Sequence, residues 1–149
     1  MGIVRTIAGA VLLSATVIGF ASPAWADDLS GFYNVTRMGN VTAPGNTPMM
    51  WHVDECGTGC AQIRDEYGAT WDAHLTNGQW VATRHTPEAV NCRNGTFAPG
   101  TSQLVLDTGT NTAGSPTMKG TIISTSDGPA CGSPTPITAG TVFLYMDKA

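Results

Sequence analysis

Trp71-Asp72-Ala73-His74-Leu75-Thr76-Asn77-Gly78-Gln79-Trp80-Val81-Ala82-Thr83-Arg84 is the stretch that decides the fold of this chain. Apolar and polar residues alternate on both sides of Asn77-Gly78, the period-two pattern of a half-buried strand. Asn and Gly both tolerate the positive φ that a type I′ turn demands, so the stretch reads as a two-stranded hairpin. A two-residue loop pairs Thr76 with Gln79, Leu75 with Trp80 and Ala73 with Ala82. That register puts Trp71, Leu75 and Trp80 on one face, with Asp72 and His74 on the opposite, solvent-facing side.

Outward from the hairpin, the same alternation recurs at residues 32–38, 49–54, 60–65, 103–107, 118–125 and 141–147. No window after Phe20 carries apolar residues at i, i+3, i+4 and i+7 convincingly enough for a helix. The count is about eight strands, separated by turn-rich pieces: Ala43-Pro44-Gly45-Asn46, Ala98-Pro99-Gly100, residues 108–116 and Asp127-Gly128-Pro129. Short connections favour sequential antiparallel pairing, and an open sheet of this length would leave long edges exposed. The expected fold is therefore all-β, an antiparallel meander closed either into a small barrel or into a two-sheet sandwich. Alternation alone is equally compatible with both. No internal repeat is sustained and no linker interrupts the pattern, so residues 27–149 read as one domain.

Residues 1–26 have a different character. Arg5 precedes an apolar run over residues 7–20, followed by Pro23 and the small-residue pattern Ala24-Trp25-Ala26 before Asp27-Asp28. This is the pattern of an export signal with cleavage expected after Ala26. The run is shorter than a membrane-spanning helix needs and no second one follows, so the mature chain is expected to be secreted or associated with the cell envelope. Removing Arg5 leaves six basic against eleven acidic residues with no basic cluster, which disfavours a nucleic-acid partner.

In an oxidising compartment the four cysteines are expected to pair. Cys56-Gly57-Thr58-Gly59-Cys60 lies between two candidate strands, and its glycines permit a tight reversal, which favours a local Cys56–Cys60 bridge. The remaining pair is then Cys92–Cys131, which would tie an irregular segment after Arg84 to the loop before the final strand. Three-residue spacing is not the Cys-x-x-Cys of redox enzymes or zinc knuckles, so structural disulfides are preferred to metal or thiol chemistry.

Chemistry-bearing residues are few. If Met49, Trp51 and Val53 face the core, His52 and Asp54 face outward, and with Asp72 and His74 they could form two His-Asp pairs. No ligand spacing supports a metal site, and these residues, like His85, are read as polar side chains on the solvent side of strands. No G-x-S-x-G is present, and in Asp54-Glu55 and Asp65-Glu66 strand neighbours point to opposite faces, so both pairs are read as solvating strand ends. No phosphate loop or dinucleotide fingerprint occurs, and no cofactor is expected. Trp51, Trp71 and Trp80 are expected to fill a small core, with the sharper alternative that they line a barrel mouth and stack on a ligand. The sequons at Asn34, Asn40 and Asn94 fit a chain rich in Thr and Asn.

Gly31-Phe32-Tyr33, Trp51-His52-Val53, Cys56-Gly57-x-Gly59-Cys60-Ala61, Leu75-x-Asn77-Gly78-x-Trp80, Cys92 and Cys131-Gly132 occur in that order. The ensemble resembles small exported four-cysteine proteins of mycobacteria and related actinobacteria. The resemblance implies a secreted β-domain with disulfides and carries over no catalytic residue. The Gly-x-Tyr opening is also similar to that of lipocalin- or avidin-like barrels, a likeness of fold that implies no particular ligand. The expected role is a non-catalytic domain that binds a small molecule, an envelope component or a protein. A hydrolase acting on envelope or host polymers and an antigen-like protein-contact module are the alternatives.

Overall fold

The Asn77-Gly78 hairpin forms in the register that the alternation sets. In the computed structural model Ala73 pairs with Ala82, Leu75 with Trp80 and Thr76 with Gln79. Asn77 and Gly78 have φ of 51° and 81°, the left-handed pair of a type I′ turn. The structure describes residues 29–39, 48–110 and 116–149. The signal segment 1–26 with its cleavage point, the turn at 43–46 and residues 111–115 of the turn expected at 108–116 lie outside these residues.

Nine strands are present: β1 (Gly31–Gly39), β2 (Met49–Gly57), β3 (Cys60–Asp65), β4 (Thr70–Thr76), β5 (Gln79–Asn91), β6 (Phe97–Thr110), β7 (Pro116–Pro129), β8 (Pro136–Thr138) and β9 (Val142–Lys148). Each strand from β1 to β7 pairs antiparallel with the next, and β9 inserts between β7 and β1. The ring of eight hydrogen-bonded strands is thus closed, which decides for a barrel against a sandwich. β8 stands outside the ring, paired only with the far part of β7.

An eight-stranded barrel has an interior just wide enough for side chains to fill. Alternate residues do so here. Val35, Trp51, Val53, Ile63, Trp80, Leu104, Leu106, Leu144 and Met146 are almost completely buried, and the small Ala61, Ala73 and Ala82 make room for the indoles. Met49, Trp51 and Val53 face inward as the alternation requires. The lower end is shut by the Cys56–Cys60 hairpin, the Asn77-Gly78 turn and buried Leu29.

The upper end departs from the sequence-based expectation. The segment after Arg84, expected to be irregular, continues β5 to Asn91, and Ala98-Pro99-Gly100, expected to be a turn, lies within β6. The reason is a register shift between Thr86 and Val90: Pro87 and Pro99 fall inside it, where neither needs a ladder N–H. Gly100 is required by close approach. A Cβ there would meet the Thr125 carbonyl oxygen and come within 2.8 Å of Ser126 Cα on β7. Asp127-Gly128-Pro129 likewise ends β7 instead of forming a turn. β5, β6 and β7 consequently project beyond the barrel as arms.

Both expected disulfides are present, with Cα–Cα distances of 5.1 Å for Cys56–Cys60 and 5.2 Å for Cys92–Cys131, and no cysteine is free. The long bridge ties the tip of β5 to the turn after β7. Cys131 lies in a loop as expected, whereas Cys92 directly follows a β5 longer than expected, so the bridge fastens the ends of two arms.

Candidate functional site

Along β1 the inward positions are Tyr33, Val35 and Arg37; along β5 they are Trp80, Ala82 and Arg84. The alternation that fills the core therefore ends, at the upper mouth, in two arginines. The Arg84 guanidinium lies 4.6 Å from the centroid of the Trp71 ring and that of Arg37 lies 5.9 Å from Trp51, both within cation–π range. The aromatic faces hold the two charges in place while apolar residues below keep water from the stems.

Asp65 closes one side of this mouth at the end of β3. Its Oδ1 accepts the backbone N–H groups of Tyr67 and Ala69 at 3.0 and 2.8 Å, which shapes the β3–β4 turn. Its Oδ2 stands 4.0 Å from Arg37, and its side chain is only 8% exposed. Asp65 is thus a nearly buried structural carboxylate, in contrast to the solvated strand end expected. Burial lowers the Arg37 pKa below its ordinary value; Arg84 lowers it further, against the opposing pull of Asp65.

Donors exceed acceptors at this mouth. The Nε atoms of Arg37 and Arg84 and the indole Nε1 of Trp51 are buried and have no hydrogen-bond partner among the described residues. Arg84 forms no ion pair among these residues either. Buried polar groups are normally paired, and exceptions concentrate where something else binds.

Beside the mouth and under the arms lies a cavity of about 640 Å³. Val90 and Cys92 of the β5 arm, Ile122 and Ser124 of β7, Ile137 of β8 and Val142 of β9 contribute to its wall, as does Cys131, so the long disulfide is part of the site. The mouth and the cavity are connected by register. Arg84 pairs with Ser102, Ser102 pairs with Ser124, and the two hydroxyl oxygens are 2.6 Å apart.

No family model matches this chain, and no curated protein or solved structure matches it either. What the site can do follows from its geometry.

The three tryptophans singled out by sequence are all interior: Trp51, Trp71 and Trp80 are 0, 4 and 1% exposed. Trp51 and Trp71 lie beneath the two arginines. Trp80 is in the lower half, opposite Leu75 and Leu106, and none of the three lines the cavity. The histidines lie elsewhere. His52 stacks on exposed Phe32 at 4.5 Å, with Nε2 3.4 Å from an Asp54 oxygen on the outer wall, and Asp54 also binds Arg64 at 3.0 Å. His74 points outward from β4, with β3 between it and His52. His85 meets Asp127 at 2.7 Å across the outer face of the arms, with no hydroxyl in hydrogen-bond reach among the described residues. No group of three or more His, Cys, Asp or Glu side chains that could hold a metal comes together there.

Sequence reasoning missed Arg37 and Arg84. The signal was available, since both are in phase with buried neighbours two and four residues before them.

Proposed function

We propose that the chain is an exported, non-catalytic β-barrel that binds a small molecule in the cavity at its upper end. The cavity carries this proposal. It has the volume of a small-ligand pocket, its walls come from three barrel strands, β8 and the turns that carry Arg93 and Cys131, and the strand register sets it next to Arg84, one of two inward-facing arginines of the described barrel. Two disulfides support an oxidising destination, and among the described residues no helix is long and apolar enough to cross a membrane. Kinship with exported four-cysteine proteins of actinobacteria belongs to the same proposal.

A second possibility is protein contact, favoured by Met38, Ile123 and Phe143. They are exposed on the outer wall, where Met38 pairs directly with Phe143.

Native mass spectrometry of the folded protein with decanol and decanoate tests the binding proposal. A one-to-one adduct with at least one of them is expected, and Ile137→Trp, which fills the cavity from outside the ring, is expected to abolish it. No adduct with either probe, or an adduct indifferent to Ile137→Trp, would overturn it.

A further inference from the structure

We infer that the upper mouth is an oxyanion site: Arg84 and Arg37 hold the carboxylate or phosphate head group of a ligand whose aliphatic part lies in the adjoining cavity. The inference rests on the cavity being a ligand site, and it names the class of ligand.

Three observations converge on it. The mouth presents three buried N–H groups without acceptors, Arg37 Nε, Arg84 Nε and Trp51 Nε1, while its one buried carboxylate already serves two backbone amides. An incoming oxyanion supplies the missing acceptors, and a guanidinium offers a planar fork that matches carboxylate and phosphate oxygens. Secondly, Arg84 has Trp71 at its back and no ion pair within 4.0 Å among the described residues, so the positive charge there is oriented and has no direct partner. Two like charges facing one mouth repel, and an anion between them turns that repulsion into attraction.

The third observation is the character of the cavity. Val90, Ile122, Ile137 and Val142 give it an aliphatic wall, Asn91, Arg93, Asn94, Ser124 and Thr138 a polar one at the β5 tip, β7 and β8, and no aromatic side chain lines it. A flat ring would find nothing to stack on there, whereas a hydrocarbon chain would. Neighbouring strands lie about 4.8 Å apart, so the Arg84 and Ser124 backbones, two strands apart, are separated by about 10 Å. One ten-carbon amphiphile spans that distance with its head at the arginines and its tail in the cavity.

The test is calorimetric titration of the full folded chain with decanoate, decyl phosphate and decanol, on wild type, Arg84→Met, Arg37→Met and the outer-wall control Lys119→Met. At least one anion is expected to bind about tenfold or more tighter than decanol, whichever head group is preferred. Arg84→Met is expected to bring the anions to within about threefold of decanol, with Lys119→Met leaving the preference intact. In the wild type, rising salt is expected to weaken the anions and leave decanol unchanged, a readout independent of whether the variants fold. Equal binding of decanol and the anions, or an anion preference that survives both arginine substitutions, would overturn the oxyanion assignment while leaving the cavity as a ligand site. Failure of all three probes to bind would remove both.

Discussion

At the lower end of the barrel Leu29, Trp80 and Leu106 are packed beneath two short hairpins, one closed by Cys56–Cys60 and the other by Asn77-Gly78. At the upper end the same strands, β1 and β5, carry Arg37 and Arg84 inward, and β5 to β7 run on past the ring as arms over a cavity. The lower end satisfies most of the rules of a stable core, though the buried Trp80 Nε1 and Asp147 Oδ1 have no partner among the described residues. The upper end breaks them in several ways at once among the described residues: three buried donors without acceptors, an arginine without an ion pair, and unfilled volume. One barrel thus separates the work of holding together from the work of binding, and local rules are commonly broken where function requires it.

Substitutions on the two sides should differ accordingly. Trp80→Ala, at a site 1% exposed, is expected to cost about 4 kcal/mol as a large cavity opens in the lower core, measured as the shift of a denaturant melt. Breaking Cys92–Cys131, which closes a long loop with a separation of 39, is expected to cost about 4 kcal/mol in the chain-entropy model. It should also weaken ligand binding, because both sulfurs belong to the cavity wall. Breaking Cys56–Cys60, with a separation of 4, is expected to cost about 2 kcal/mol and to leave binding intact. The opposite ranking of the two bridges in matched melts would mean that the arms open without the barrel.

Smaller effects sharpen the contrast. Gly78→Ala places a Cβ at φ of 81° and is expected to cost about 1 kcal/mol through the turn alone. Arg84→Met keeps an apolar stem against Trp71 and removes an unpaired charge, so its melt should move by less than about 0.5 kcal/mol in either direction. A large loss of stability in Arg84→Met would place Arg84 among the residues that hold the barrel together.

The lower end was legible in the sequence because its signals are local. Period-two alternation and Asn77-Gly78 give the register and the inward face of Trp71, Leu75 and Trp80 directly, and Gly57 and Gly59 bracket a turn short enough to bridge. At the upper end the same local rules mislead. Pro99 and Gly100 read as a turn, yet Pro99 occupies a bulge with Pro87 and Gly100 yields to a neighbouring strand, a contact that only the closed barrel creates. Arg37 and Arg84 illustrate the same limit for the site. Each is in phase with the core, but polar residues near strand ends usually escape to solvent, and it takes the barrel mouth to bring both over Trp51 and Trp71.

The division between the two ends is tested most directly by mapping amide chemical shifts in the ¹⁵N-labelled protein during titration with decanoate. Binding at the upper end predicts saturable shifts at Arg84, Val90, Ser124 and Val142, with Asn77, Gly78 and Leu106 unmoved. Shifts confined to the lower hairpins, or spread evenly over the outer wall around Met38 and Phe143, would contradict it.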